Sequence, residues 1–418
     1  MSDLAQAVGG PKRIVGGPFG SKLTTRDYAA EGVPVIRGSN MEVDGRWIGG
    51  EFAYVSEHKA ATDLKTNLAF PGDIMVTQRG TLGQVSIIPE NIIFPFLVIS
   101  QSQMAISVDR TKVDRNFVYY FLRSPAFADY SHNQTIQTGV PHINLGILRS
   151  APAEFPNLNQ QREIAAILGA LDDKIELNRK TAATLEEMAR ALYRSWFVDF
   201  DPVHAKAAGF APAHMDAATA ALFPDRFGDD GLPEGWKIIP LGEIVEPRKG
   251  KSITKKTIVS GNVPVVAGGL QPAYFHNVSN VSGPAITVSA SGANAGFVRL
   301  YHDEIWASDC SFISREQTPY PFTVYALLSL KQADIYLMQQ GAAQPHIYPS
   351  DLKRVLVVDP PREIWNLCES LFAQLFAAVA NFERENRTLA ALRDTLLPRL
   401  MSGELRVGEA RERVEEVI

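Results

Sequence analysis

Two segments of the chain carry apolar residues at intervals that alternate between four and three positions. This spacing is typical of a coiled-coil helix, and one polar residue within a seam can fix its register. The pattern predicts long helices over residues 157–200 and 359–403, in contact through their bulky aliphatic residues. The alternative is two core helices of one large domain. The first seam reads Ile164, Leu168, Leu171, Ile175, Asn178, Ala182, Leu185, Ala189, Leu192 and Trp196, and the second reads Ile364, Cys368, Leu371, Leu375, Ala378, Phe382, Glu385, Leu389, Leu392 and Leu396.

The segments ahead of the two predicted helices resemble each other. "FPGDIMVTQRGTLGQVSII" (70–88) and "VSGPAITVSASGANAGFVRL" (281–300) each place a Gly-bearing turn between two apolar runs, which predicts a β-hairpin. "GVPVIRGSN" (32–40) matches "NVPVVAGGL" (262–270), and a short helix is predicted at 114–124 and at 320–330. The chain therefore divides into a globule (1–156), a helix (157–200), a connector (201–235), a second globule (236–358), a second helix (359–403) and a charged tail (404–418) that we expect to fray.

Each globule ends with the same tripeptide. Pro141, His142 and Ile143 recur as Pro345, His346 and Ile347. A histidine can act as a general base, but no Ser, Cys or carboxylate recurs beside both copies. We therefore favour a histidine that hydrogen-bonds within its globule or contacts a ligand without catalysing.

Composition excludes several classes of protein. The 418 residues carry a formal net charge of −5, so any nucleic-acid binding must use local basic patches. There are two cysteines, Cys310 and Cys368, and no CxxC pair, which disfavours a disulfide scaffold or a zinc site. The start of the chain lacks the apolar core of a signal peptide, and no apolar run is long enough for a membrane span. We expect a cytoplasmic protein without a metal.

Enzyme motifs are weak. "DPPR" (359–362) is similar to the Asp-Pro-Pro-aromatic loop of amino-methyltransferases, but Arg362 stands where an aromatic ring would stack on the base. Asp172 and Asp173 lie on the first long helix, where we expect both to be solvated. No catalytic residue is predicted, although a degenerate or fused methyltransferase stays open as an alternative.

Basic and amide side chains suit contacts with DNA phosphates and base edges. The alternative for each of them is an ordinary solvated surface. The candidates in the first globule are Lys22, Arg37, Gln78, Arg79, Thr81, Gln101, His142 and Asn144, and those in the second are Arg248, Lys249, Lys251, Lys255, Lys256, Ser291, Asn294 and His346.

Nearly the whole chain resembles the specificity subunit of type I restriction-modification systems. The resemblance is carried by "QQREIAAILGALDDKIELNRKTAATLEEMARALYRSWFVDFDPV" (160–203), "LPEGWKIIPLGEI" (232–244) and "ENRTLAALRDTLLPRLMSGELRV" (385–407). One departure is that the first globule lacks a counterpart of the "PEGW" opening strand.

The resemblance implies an α+β fold: two similar α/β target recognition domains separated by two long antiparallel coiled-coil helices, with an approximate internal two-fold repeat. It also implies that the chain is non-catalytic and that each domain reads one half of a split asymmetric DNA sequence. The implied partners are double-stranded DNA, two modification subunits that use S-adenosylmethionine, and restriction subunits that use ATP and Mg²⁺. The alternative to these enzyme-associated roles is a protein scaffold that does not bind DNA.

Overall fold

A computed structural model of the protein describes residues 3–42, 44–135, 142–341 and 344–417. The chain forms two compact units, of which one is a continuous stretch of sequence and the other is made of two segments. Unit 1 consists of Met1–Leu177 and Glu385–Ile418, and unit 2 consists of Asn178–Arg384. Each unit therefore contains one part of each long helix.

Unit 1 begins with nine short strands, several of them β-branched runs that are buried on both faces. They are β1 (Ile14–Gly16), β2 (Tyr28–Ala29), β3 (Val33–Ile36), β4 (Ala53–Val55), β5 (Leu68–Ala69), β6 (Ile74–Thr77), β7 (Val85–Ile87), β8 (Leu97–Ile99) and β9 (Gln103–Ile106). The strands form an antiparallel sheet in the order β1-β9-β6-β7 and a mixed sheet in the order β2-β4-β3-β8-β5, in which β3 and β8 run parallel. The β6–β7 pair is the hairpin that the sequence predicted.

Side chains or prolines fix where several helices of unit 1 begin. Asp114 accepts the amide of Phe117 at 2.9 Å, and Pro125 occupies the first turn of the next helix. Asn157 accepts the amide of Gln160 at 3.1 Å at the start of the first long helix. The helices are α1 (Leu4–Ala7), α2 (Glu57–Ala61), α3 (Arg115–Arg123), α4 (Pro125–Gln134), α5 (Leu145–Arg149) and the 40-residue α6 (Leu158–Phe197).

Unit 2 repeats this plan with fewer strands in its second sheet. Its helices are α7 (Asp201–Ala207), α8 (Ala217–Ala221), α9 (Pro321–Leu330), α10 (Gln332–Leu337), α11 (Pro349–Leu352) and the 40-residue α12 (Arg362–Met401), after which α13 (Val407–Glu415) lies in unit 1. Its strands are β10 (Lys237–Pro240), β11 (Arg248–Lys249), β12 (Val263–Val266), β13 (Tyr274–His276), β14 (Ala285–Ser289), β15 (Val298–Tyr301), β16 (Trp306–Ala307), β17 (Cys310–Ser314) and β18 (Leu356–Asp359).

The internal repeat is confirmed by the order of the strands. The sheet β11-β17-β14-β15 has the same connections as β1-β9-β6-β7, and β13-β12-β16 corresponds to β4-β3-β8 with its parallel pair preserved. In unit 2, β10 and β18 form a further two-stranded sheet. In unit 1 a single bridge between Asp3 and Pro152 stands in its place. The Leu4 amide donates to Ala151 as that of Leu241 donates to Val355.

The predicted helix seams lie in the cores of the units. In unit 1, Asp172 pairs with Arg393 and Lys174 with Glu385, so the partner number falls as the α6 number rises and the two helices run antiparallel. Among the predicted contacts, Leu185, Leu192, Leu371, Leu375 and Leu392 are partly buried. Those that are buried are Ile164, Leu168, Leu171, Ile175, Ile364 and Leu389.

The expected fraying of the charged tail was wrong. Most of the tail forms α13, whose Ala410 and Val414 pack into the core of unit 1, and the connector holds two helices, α7 and α8. Pro398 lies inside α12, which continues to Met401, so only Gly403 beyond the helix end has the left-handed backbone of a terminator. No helix in the described part of the chain has the length and apolar character that crossing a membrane requires.

Candidate nucleic-acid interface

In unit 1, the repeated tripeptide lies against the turn of the β6–β7 hairpin. The Ile143 amide donates to the Gln78 carbonyl at 3.1 Å, and His142 forms an antiparallel bridge with Arg79. The Gln78 amide in turn donates to Ser102 at 2.8 Å, in the loop between β8 and β9. Pro141 lies outside the described residues. Three separate segments thus meet at the end of β6.

Unit 2 builds the same junction from different residues. The Ile347 amide donates to Ala290 at 3.0 Å, and His346 forms an antiparallel bridge with Ser291. The Ala290 amide donates to Asp309 at 3.2 Å, in the loop between β16 and β17. The two copies of the tripeptide therefore occupy equivalent positions, and Arg79 of unit 1 corresponds to Ser291 of unit 2.

A fourth segment contacts each junction at a glycine, which lets its backbone lie directly against the backbone of the neighbouring loop. A Cβ atom on Gly17 would lie 1.7 Å from the carbonyl oxygen of Ser100, and one on Gly250 would lie 2.4 Å from that of Ser308. No side chain fits at either position. Ser100 and Ser308 also donate their amides to Ile36 and Val266, at 3.1 and 2.8 Å.

These contacts define two equivalent loop surfaces. Face 1 comprises residues 17–26, 37–40, 78–84, 100–103 and 142–144, and face 2 comprises residues 248–256, 267–271, 290–296, 308–310 and 344–348. Loops held together at one end of a rigid sheet are a common place for binding residues.

On face 1, the predicted residues divide into exposed and structural groups. Lys22, Arg79 and Thr81 are exposed. Asn144 is also exposed, but its side chain accepts the Ile147 amide at 3.0 Å and caps α5. Its oxygen therefore already has a partner.

Two glutamines of face 1 form hydrogen bonds between its loops. Gln78 is 4% exposed, and its side-chain amide donates to the Gln101 carbonyl at 2.5 Å. The Gln101 side chain donates to Gly20 at 2.7 Å and to Leu23 at 2.9 Å. Both amides connect the loops of face 1 to each other, so base-edge contacts by Gln78 would require the junction to open.

A cavity of about 440 Å³ on face 1 was not anticipated. Arg37 lies in its wall, half-buried, and its Nε is buried without a hydrogen-bond partner among the described residues. Hydroxyl and amide groups surround it, an environment suited to a polar or anionic ligand. The other lining residues are Leu23, Thr24, Thr25, Tyr28, Gly38, Ser100, Gln101 and Ser102.

The loop beside this cavity is held by Asp27. Its carboxylate accepts the Thr24 amide at 2.7 Å and pairs with Lys59 at 3.0 Å. The Thr24 amide, followed by Lys59, lowers the pKa of Asp27 to about 2. The loop is therefore anchored by a carboxylate that stays charged at neutral pH.

Face 2 concentrates its basic residues in one segment, residues 248–256. The five predicted cations at its edge are exposed, and none of them forms an ion pair within the part of the chain that the structure describes: Arg248, Lys249, Lys251, Lys255 and Lys256. Ser291 and Asn294 are half-buried, and the Ser291 hydroxyl donates to the Asp309 carboxylate. A group of unpaired cations provides a local positive potential on a chain whose net charge is negative.

Comparison with known proteins identifies the family. The model of the type I restriction modification DNA specificity domain matches residues 20–187 and 233–374. The chain belongs to this family. The two matches together cover most of the chain, and they contain almost all of face 1 and face 2.

Members of the type I specificity family with curated names match over most of their length. The MjaIX specificity subunit of Methanocaldococcus jannaschii is 23% identical over 86% of this chain and 85% of its own. The HindI specificity subunit of Haemophilus influenzae is 25% identical over 74% of this chain and 81% of its own. This chain is a specificity subunit of the type I restriction-modification class.

Solved structures of the same class also align. The type I S subunit from M. genitalium aligns over 90% of this chain and 93% of its own, with 20% identity and a TM-score of 0.45. The HsdS subunit from Thermoanaerobacter tengcongensis aligns over 89% and 91%, with 17% identity and a TM-score of 0.33.

Proposed function

We propose that the chain recognises a bipartite, asymmetric DNA sequence, with face 1 and face 2 each reading one half-site. The observation that carries this proposal is that both faces are built by the same hydrogen bonds but present different side chains. Arg37 and Arg79 of face 1 correspond to Ala267 and Ser291 of face 2. A shared framework with different exposed groups suits two readers of different sequences.

The charge distribution supports contact with nucleic acid rather than with protein alone. Exposed lysines and arginines on face 2 can neutralise phosphates, and each neutralised phosphate releases counterions. Binding should therefore weaken steeply as salt is added. A scaffold without a DNA role would lack this dependence.

The two long helices account for the separation of the half-sites in this proposal. At about 1.5 Å per residue, a 40-residue helix is about 60 Å long, compared with about 34 Å for one turn of B-DNA. The length of the helices then sets the number of base pairs that neither face reads.

Catalysis is assigned to partner subunits. Two modification subunits would bind this chain and methylate adenine with S-adenosylmethionine, and restriction subunits would supply ATP- and Mg²⁺-dependent cleavage. The approximate repeat favours two identical partners, because equivalent surfaces bind identical subunits in equivalent ways. The competing function is a degenerate or fused methyltransferase, which predicts tight binding of S-adenosylmethionine by the isolated chain.

The deciding experiment exchanges residues 236–358 for those of a relative and maps methylated adenines in a genome that carries the modification subunits. We expect one half-site to change and the other to persist. The matched control exchanges the connector, residues 201–235, and should leave both half-sites intact. Simultaneous change of both half-sites after the first exchange would contradict independent reading.

A second experiment inserts one heptad into both α6 and α12. Seven helical residues add about 10 Å, so we expect a spacer longer by about three base pairs at about 3.4 Å each, with both half-sites preserved. Methylation mapping again provides the measurement. An unchanged spacer with altered half-sites would reject the ruler function.

A further inference from the structure

The repeated tripeptide places a histidine at an equivalent position of each face. Ile143 and Ile347 are 3% and 1% exposed, so the hydrophobic core accounts for both. His142 and His346 are not buried, yet each is placed over the same hairpin turn by an antiparallel bridge. A side chain that recurs at the same surface position of both faces, beside residues that differ, suits contact with a feature that both half-sites share.

The proposed function indicates which feature of DNA both histidines contact. If the two faces read different bases, their shared features cannot be what distinguishes the half-sites. The part of the DNA that is identical at both half-sites is the sugar-phosphate backbone. A shared surface residue is therefore expected to contact that backbone.

The turn beneath each histidine has room for such a contact. Gly80 and Gly292 follow the bridged residues at φ +89° and +81°, and a Cβ atom on either would meet no atom within 4 Å. Positive φ favours glycine, and the open space leaves the main chain accessible to a second backbone. The amides of Ala293 and Asn294 donate no hydrogen bond within the described chain, so face 2 also offers unused donors beside His346.

The surroundings of His346 hold its ring in place and leave little opposing charge. Its ring lies parallel to that of Tyr348, with the centroids 6.0 Å apart. The turn 290–296 contains no carboxylate, and the adjacent Asp309 accepts the Ser291 hydroxyl. A ring fixed at this position can donate an N–H group to a ligand in one of its uncharged tautomers.

Building on the proposed function, we infer that His142 and His346 are equivalent anchors that each donate a ring N–H to a phosphate oxygen of the DNA backbone. They fix the position of each face on the duplex and do not discriminate between bases. The ligand is a phosphodiester group of double-stranded DNA.

The test uses the full chain in complex with its modification subunits and the duplex identified by methylation mapping. We expect His142→Ala and His346→Ala each to weaken binding by about tenfold, the loss typical of a hydrogen bond to a charged group. The loss should be the same for the target and for a duplex with one half-site scrambled. His346→Gln keeps an N–H donor and should recover part of the affinity. His214→Asn in the connector is the control and should bind like the wild type.

Neutral methylphosphonates placed one at a time along the duplex identify the contact. One position in each half-site should weaken wild-type binding, and at that position the matching alanine variant should lose nothing further, because the partner is already absent. The unfolding temperature of each variant should match that of the wild type, which separates a contact from a structural role.

Two results would overturn the inference in distinguishable ways. Loss of discrimination at one base pair, with no coupling to any methylphosphonate, would make the histidines base readers and leave the bipartite function standing. Absence of sequence-selective binding by the wild-type complex would reject the proposed function and the anchors together.

Discussion

The two units enclose their parts of the long helices by different means. In unit 1 the helix contact includes charge: Asp172 and Arg393 are 7% and 4% exposed, pair at 2.7 Å, and Asp172 also accepts the Tyr120 hydroxyl at 2.7 Å. Burial alone lowers the pKa of Arg393, but the charges and hydrogen bonds of Asp172 and Asp394 together outweigh burial, and the net shift is upward. Arg393 therefore stays charged in the folded protein at neutral pH.

Unit 2 encloses its parts of the long helices with aromatic rings. Trp365 is 1% exposed and packs against Tyr320 and Phe197, with centroids 5.3 and 6.4 Å away. Phe376 stacks on Phe322 at 5.4 Å. Aromatic pairs tolerate small shifts of geometry, whereas a buried ion pair requires both partners in place. The contrast indicates that the helix register is specified more strictly in unit 1.

The largest effect is expected from removing one partner of the buried pair. Arg393→Ala leaves Asp172 uncompensated and should destabilise unit 1 by about 3–5 kcal/mol. The matched control replaces Tyr120, Asp172 and Arg393 together by Phe, Leu and Met, and should recover most of that loss because no unpaired charge stays buried. Chemical denaturation of all three proteins measures both values. Equal losses in the single and triple variants would show that packing, not charge, dominates.

A comparable but slightly smaller loss is expected from the aromatic cluster. Trp365→Ala creates a cavity in unit 2 and should cost about 3 kcal/mol or more. Trp365→Phe keeps one ring but loses the indole donor to Asp359 at 2.8 Å, and should cost roughly half as much. Denaturation is again the measurement, and a larger loss for Phe than for Ala would be inconsistent with ring packing.

The pH dependence of unit 2 should follow two half-buried carboxyls. Burial raises the pKa of Glu369 and of Glu186 above the ordinary value of 4.5. The folded unit then binds more protons than the unfolded chain as pH rises from 4.5 through the raised pKa, so stability falls across that window. Thermal unfolding at a series of pH values should show this fall, and Glu369→Gln should reduce it.

In unit 1, one carboxyl should make stability rise with pH, and it should do so in a more acidic range. The pKa of Asp27 is lowered from 3.8 to about 2, so the stability it contributes is present above 3.8 and is lost as pH falls toward about 2. Asp27→Asn should reduce the loss of stability below pH 3.8 and leave the fall in stability above pH 4.5 unchanged. An effect of Asp27→Asn on the window above 4.5 would contradict the assignment to separate units.

The smallest effect is expected for the ion pair between Arg46 and Asp173, next to the buried pair. Arg46 stacks over Trp47 at 4.7 Å and pairs with Asp173, which is 65% exposed. Because solvent screens this pair, Arg46→Ala should cost only about 1 kcal/mol, mainly through lost stacking. Asp173→Asn is the control and should change stability even less. If Arg46→Ala lowered stability as much as Arg393→Ala does, Arg46 would belong to the buried network of charges.

The repeat could be predicted because its signals are local. Both hairpins, the short helices α3 and α9, and the long seams depend on residues within one or two turns of each other, and the structure contains all of them. The expected solvation of Asp173 also holds, since it is exposed. The same expectation for Asp172 was wrong, because its partner Arg393 lies 221 residues away.

Other misses had weaker signals that were present in the sequence. Pro202 in the first turn of α7 and Asp216 as the cap of α8, which accepts the Thr219 amide at 2.7 Å, are ordinary helix starts within a segment rich in Pro and Gly. Ala410 and Val414 have the i, i+4 spacing of a helix face in the charged tail. Burial of Gln78 had no local signal, because it arises where three loops from distant parts of the chain meet.

The division of each long helix between the units has a consequence for biosynthesis. Unit 2 is contiguous from Asn178 to Arg384, but unit 1 needs Glu385–Ile418 to complete its core. A ribosome therefore begins unit 1 first and finishes it last, and the nascent chain must carry its exposed helix face until the closing segment emerges. Termination before Glu385 would leave the first-made globule without Leu389, Leu396 and Leu400 of its apolar core.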